Sequence, residues 1–283
     1  ISAKAYKMGG SRTFLEIDDK VSIDELLKGI IVQSGNDASV AIAECLAGTE
    51  ADFAKLMNVY AKKIGMNNSN FINASGWPDE NHYSTVFDLS LLSNDLIKNF
   101  PKLYEYFNIR EFSYNDINQP NRNRLLSDVE GVDGLKTGFT KKSGWGVAGS
   151  ALRDSRRITV VINGANSSRS RLNESSNLIN WAFSQTSEKK LITKGEIIKN
   201  VDVWLGNQST INLVSSEDIL SILSFDQLQL IKTTISYQKP ISAPITKNDI
   251  LGSMLIDIPG KKIIKVDLIA EVNISEINPL YKI

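Results

Sequence analysis

The chain has 283 residues, 32 Lys and Arg against 32 Asp and Glu, and 42% hydrophobic residues, which is globular composition rather than disordered or fibrous. A formal charge of zero without basic blocks leaves no electrostatic footprint for a phosphate backbone or an anionic membrane surface, so no nucleic-acid partner is expected. One cysteine, Cys45, and one histidine, His82, exclude an internal disulfide and any site built on several His or Cys ligands, so no metal or other cofactor is expected and chemistry falls to Ser, Thr, Lys and carboxylates.

No run approaches the roughly 18 apolar residues of a membrane span, and neither end carries a charged start followed by a signal-peptide core. The first residue is Ile1 rather than Met, so a processed or truncated product is expected. Ser22 and Glu25 have capping-box spacing, and Leu26, Leu27, Ile30 and Ile31 then share a helical face. This helix runs into Gln33-Ser34-Gly35-Asn36. A second helix follows through Val40, Ala41 and Leu46, with Cys45 read as a core residue. A third starts at Thr49, with Phe53, Leu56, Met57, Tyr60 and Ile64 as a core stripe before Gly65 ends it. His82 falls in a polar loop and reads as an exposed loop histidine. A further helix spans Val86 to Asn99, closed by Pro101. From Val132 the period shifts toward two. A strand carries Val132 to Thr140, and Trp145 to Leu152, a turn at 153–156 and Ile158 to Ile162 read as an antiparallel hairpin. A last helix carries Leu172, Leu178, Ile179 and Trp181. Residues 185–192 read as a polar linker, after which short alternating runs broken by Gly206, Pro240, Pro244 and Pro259 read as a small all-β domain. The expected division is 1–186 and 192–283.

Lys136-Thr137-Gly138 places a cation, a hydroxyl and a glycine on one strand, an arrangement suited to a carboxylate-bearing substrate lying along its edge. The tripeptide alone is equally a strand end entering a turn. Ser34-Gly35-Asn36 alone reads as a helix-capping turn, since Ser-x-Asn recurs at Ser113 and Ser175. It differs from those copies in falling between two apolar-striped helices, 102 residues before Lys136.

Together the two motifs match the second and third signatures of the penicillin-recognising serine enzymes, whose first is Ser-x-x-Lys. The segments Leu27-Lys28-Gly29-Ile30, Gln33 to Ala38, Pro120-Asn121-Arg122-Asn123, Val132 to Gly138 and Trp181-Ala182-Phe183 resemble the low-molecular-mass D-alanyl-D-alanine carboxypeptidases of the penicillin-binding protein 5 type, essentially from end to end. The resemblance implies an α+β transpeptidase-like domain of antiparallel sheet and helices, followed by a β-sandwich-like domain. It implies a serine-type hydrolase of the cell envelope, acting on the outer face of the inner membrane. Such enzymes trim the terminal D-alanine of peptidoglycan stem peptides through an acyl-enzyme, are acylated by β-lactams, and touch the membrane only through a C-terminal anchor, which is not seen at Leu280-Tyr281-Lys282-Ile283. A β-lactamase and an inactive peptidoglycan-binding homologue are the alternatives.

By the same resemblance Ser34 relays a proton between the reacting serine, its lysine and the leaving amine, while Asn36 binds the substrate amide and fixes the lysine. Lys136 and Thr137 hold the terminal carboxylate, Gly138 counts among the substrate-binding residues, and the Phe139 N–H is an oxyanion donor. Phe139 stands where relatives commonly have histidine. Arg122 and Arg171 occupy positions of arginines that order the cleft and bind the carboxylate; surface ion pairing is the other reading of both. No Ser-x-x-Lys precedes Ser34, and the copies at Ser187 and Ser236 fall in the linker and the β-domain, so the nucleophile and its base are missing. The chain alone is expected to be inactive, with Leu26, Ile30 and Val40 left without packing partners.

Overall fold

The structure is a computed structural model that describes residues 1–277; the chain ending at Leu280 to Ile283 lies outside the described residues. It divides into two compact units after Ala182.

In the first unit α1 (Ala3–Tyr6) is followed by α2 (Ile23–Lys28), whose start is the capping box anticipated from the sequence: Ser22 accepts from the Glu25 N–H while Glu25 accepts from the Ser22 N–H. The helix widens into a π turn over Gly29–Gln33 and stops at Ser34, which adopts the left-handed conformation with φ 58°. Next come α3 (Asn36–Ala47), α4 (Glu50–Lys63) and α5 (Val86–Asn99); Thr49 and Thr85 cap the last two through their hydroxyls. Pro101 does end α5, and then serves as the first residue of α6 (Pro101–Tyr104), where its missing N–H costs nothing. A hairpin of β1 (Glu111–Tyr114) and β2 (Ile117–Pro120) and the short α7 (Leu125–Asp128) lead into β3 (Val132–Thr140), β4 (Gly144–Arg153) and β5 (Arg156–Ala165). These three strands form an antiparallel sheet in that order, so β3 is an edge. The β4–β5 link is a two-residue turn with both Asp154 and Ser155 at positive φ, the hairpin geometry that follows strand twist. The next helix, α8 (Ser168–Gln185), places Ile179 against the sheet at Gly149.

Leu26 and Val40 are fully packed, in a cluster with Ala5, Leu15, Ala38, Ala41 and Ile42, and Ile30 packs beside it. The expectation that these three lack partners is therefore corrected: α1 and Leu15 cover them. The α4 stripe is corrected at one position: Leu56 is 53% exposed, while Phe53, Met57, Tyr60 and Ile64 are half-buried and the fully buried residues of α4 are Ala54 and Ala61. Cys45 is exposed near the end of α3 rather than buried. His82 is half-buried rather than exposed: its ring packs edge-on against Phe71, its Nδ1 accepts from the Ile72 N–H, and burial lowers its pKa.

The second unit begins with a correction. The stretch read as a linker is β6 (Thr186–Ile192), a largely exposed polar strand. The unit continues with β7 (Ile197–Trp204), β8 (Thr210–Ser215), β9 (Ile219–Ser224), a single helical segment α9 (Phe225–Gln229), β10 (Lys232–Tyr237), β11 (Ile241–Ser242), β12 (Ile250–Asp257) and β13 (Ile264–Ala270). β6 pairs with β9, and the rest form a six-stranded sheet in the order β10-β12-β13-β8-β7-β11. Leu228 and Leu230, within the stretch expected to be all-β, lie in and just after α9, which a second capping box, Ser224 with Gln227, starts. Ile211, Leu213, Leu223, Ile256, Val266 and Leu268 fill the core, each contributing roughly 1.5 to 3 kcal/mol by leaving water.

Candidate active site

The site assembles where α3 begins beside β3. The π turn delivers Ser34 at a left-handed φ, a conformation that costs an L residue roughly 1 to 2 kcal/mol, and this backbone sets the hydroxyl toward the sheet. Lys136 reaches across from β3 and donates to the Ser34 Oγ at 2.9 Å and to the Thr137 carbonyl at 3.2 Å. Gly35 between Ser34 and Asn36 has a steric cause: a Cβ there would stand 2.1 Å from the Thr13 hydroxyl and 2.8 Å from an Asp37 oxygen.

Asn36 opens α3, and the segment 9–15 is laced to it. The Asn36 side-chain amide donates to the Gly9 carbonyl at 2.8 Å and its backbone N–H donates to the Ser11 carbonyl at 2.8 Å. Asp37, 0% exposed, accepts from the backbone N–H groups of Thr13, Phe14, Leu15 and Ala38. Ser11 also accepts from Arg122 through its hydroxyl, at 2.6 Å. Arg171, on the first turn of α8 and only 6% exposed, donates to the Arg122 carbonyl at 3.4 Å and stands over the Trp145 ring.

Lys136, Arg122 and Arg171 thus converge. The Lys136 amine is held down to about 7, first by burial and then by the charges of Arg122 and Arg171. Burial likewise lowers the pKa of Arg171. Among the described residues none of the three forms an ion pair; the carboxylates pair elsewhere. Three cations without an acidic partner call for an anion from outside. The free edge of β3 lies beside them, and a Cβ on Gly138 would meet nothing within 4 Å, so a ligand backbone has room to run along the strand.

Of the residues singled out from the sequence, Ser34 and Lys136 are brought into contact, and Asn36, Arg122, Thr137 and Arg171 surround them. Asp37, Ser11 and Trp145 were missed. So was a network that holds β3 in place: Arg157 on β5 donates through both terminal nitrogens to Asp133, at 2.7 and 2.8 Å, and also to Ser150, while the buried Tyr104 hydroxyl donates to Asp133. Burial and the bond to Asp133 push the Tyr104 phenol up, and the bond to Asp133 raises Arg157. Asp37 directly follows the Ser-Gly-Asn motif, but in sequence it reads only as an acidic residue in a helix's first turn.

Comparison with known proteins decides the family. The D-alanyl-D-alanine carboxypeptidase family matches residues 1–167, and the C-terminal domain of penicillin-binding protein 5 matches residues 187–276. The chain belongs to the D-alanyl-D-alanine carboxypeptidase family. Among the relatives of this carboxypeptidase-family chain, it is 37% identical over 270 residues to D-alanyl-D-alanine carboxypeptidase DacC of Escherichia coli, covering 95% of this chain and 68% of that one. It is 36% identical to DacF of Bacillus subtilis, covering 92% and 68%. Penicillin-binding protein 5 of Haemophilus influenzae superposes with a TM-score of 0.72 at 31% identity, covering 94% of this chain and 78% of that one, and DacD of Francisella tularensis with 0.82 at 28%, covering 98% and 81%. The transpeptidase-like fold with an all-β C-terminal domain is that of these neighbours. The chain spans about two thirds of the length of the curated relatives it matches.

Proposed function

We propose that these residues form the substrate-holding half of a serine-type D-alanyl-D-alanine carboxypeptidase that removes the terminal D-alanine from peptidoglycan stem peptides through an acyl-enzyme in the cell envelope. The observation that carries the reading is the convergence of Lys136, Arg122 and Arg171, unpaired by acid, beside the open edge of β3. A peptide C-terminus supplies the missing charge. Its carboxylate is held by Lys136, Thr137 and Arg171, its backbone extends along β3, and the Phe139 N–H is one donor to the developing oxyanion. Ser34, accepting from Lys136, keeps its own hydrogen to pass to the leaving amine.

The reacting serine and its lysine belong to the complete protein. The Ser-x-x-Lys copy at Ser187 lies on β6, where residues three apart point to opposite faces, so its serine and lysine do not meet; in the copy at Ser236, Lys239 falls past the end of β10 and its amine stands over the Tyr237 ring. The polypeptide 1–283 alone therefore forms no acyl-enzyme. Capture of β-lactams by the complete protein is supported by the ampicillin-bound penicillin-binding protein D2 of Listeria monocytogenes, 30% identical with a TM-score of 0.58.

The test is D-alanine release from diacetyl-L-Lys-D-Ala-D-Ala by the complete protein with a chelator present. Release that survives chelation is expected; no release, or release abolished by chelator, sinks the reading.

A further inference from the structure

The sheet face that carries Thr137 continues into an aromatic surface that the reaction described above leaves unused. Side chains alternate along a strand, so Phe139 shares a face with Thr137, about 6.7 Å further along β3. Its cross-strand partner is Trp145, as Val147 is that of Thr137. The two rings lie with centroids 4.3 Å apart and planes at 33°, and the Arg171 guanidinium stands 5.4 Å from the Trp145 ring centre. Phe139 is 52% exposed. One face of the sheet thus presents, in sequence, a hydroxyl and a guanidinium suited to a carboxylate, and then an open apolar shelf stacked on a ring that the same guanidinium braces.

A residue held by its carboxylate at Thr137 and Arg171 carries its side chain one bond from that carboxylate, on the α-carbon. A hydrogen or a methyl group offers the Phe139 ring little apolar surface, whereas a branched or aromatic side chain offers it a packing partner. Resting on the carboxypeptidase reading, we propose that Phe139 and Trp145 form a specificity subsite for the leaving residue, one that favours C-terminal residues with large apolar side chains. Phe139 contributes the contact and Trp145, fixed between Phe139 and Arg171, positions it.

The experiment uses the complete protein and two peptides that differ only in the last residue, diacetyl-L-Lys-D-Ala-D-Phe and diacetyl-L-Lys-D-Ala-Gly, with kcat/KM measured from release of that residue. The quantity read is the ratio of the two. In Phe139→Ala the ratio falls about tenfold, the size of one aromatic contact, and in Phe139→Tyr it stays within about threefold of its starting value. Phe139 is half exposed, so its truncation leaves the core intact, and an unchanged melting temperature documents this. A ratio unmoved by Phe139→Ala overturns the subsite while the carboxypeptidase reading stands. Failure of the unsubstituted enzyme to release either residue, while it releases D-alanine from diacetyl-L-Lys-D-Ala-D-Ala, overturns the subsite alone; failure on all three peptides overturns both.

Discussion

Lys136 carries a cost that a ligand repays. Its amine is held down to about 7 by burial and by two guanidinium groups, so the charged form is disfavoured in the free protein. A carboxylate placed against it favours the charged form, so binding takes up a proton. Affinity of the complete protein for an N-acyl-D-alanine product is expected to fall as pH rises above about 7, approaching tenfold per pH unit. Lys136→Ala is expected to weaken binding about tenfold to a hundredfold at pH 6 and to flatten that pH slope. Binding titrations across pH 6 to 9 check both, and a slope that survives the substitution shows that another group takes up the proton. The same shift acts on folding: the native chain binds fewer protons than the unfolded one between about 7 and 10.5, so this group's contribution to stability is unfavourable at neutral pH and is relieved as pH rises through that window. Ser34 holds a second stored cost, in its left-handed φ. Ser34→Gly and Ser34→Ala both remove the hydroxyl, yet the glycine variant should be the more stable by about 1 to 2 kcal/mol, the reverse of the order inside a helix. Urea unfolding of the two variants measures the difference; the ordinary order, alanine above glycine, refutes the strain.

β3 earns its position from elsewhere in the chain. The Arg157–Asp133 pair, with Tyr104 and Ser150, ties it to β5 and α6 three residues ahead of Lys136. Gly134 is required by this arrangement, since a Cβ there would stand 2.6 Å from the Tyr104 hydroxyl. Asp133→Ala leaves Arg157 partly buried without its partner, and about 2 to 3 kcal/mol of stability should be lost; Arg157→Met in the same chain should restore part of it. Additive losses in denaturant titrations of the single and double variants would show that the two side chains act independently. The contrast with the rest of the fold is instructive. The capping box at Ser22, the end of α5 before Pro101 and the β4–β5 turn were legible because each is specified by residues within a few positions of one another. Ser34 and Lys136 were legible as motifs, 102 residues apart. Asp37 with the amides of residues 13–15, and Asp133 with Arg157, were not, because an ion or hydrogen-bond pair separated by more than 20 residues leaves no periodic trace. Leu56 misled for another reason: helical spacing of large apolar residues reports a face, not how far its margin is covered.

Across the molecule each unit can be judged by its own interior. The second unit's core draws on residues from Ile192 to Ile274. Residues 183–277 expressed alone should therefore give dispersed amide resonances and one cooperative urea transition; collapsed, poorly dispersed spectra would show that this core needs the rest of the chain. The first unit offers a different opportunity. In 283 residues there is a single thiol, and it is exposed near the end of α3, the helix that Asn36 opens. Nine residue steps of α-helix lead from one to the other, about 14 Å along the axis. A fluorophore coupled to Cys45 sits at a known remove from the cleft, on the same rod, without obstructing it. The chain thus comes with a built-in attachment point for an optical readout of ligand arrival, and no residue has to be replaced to use it.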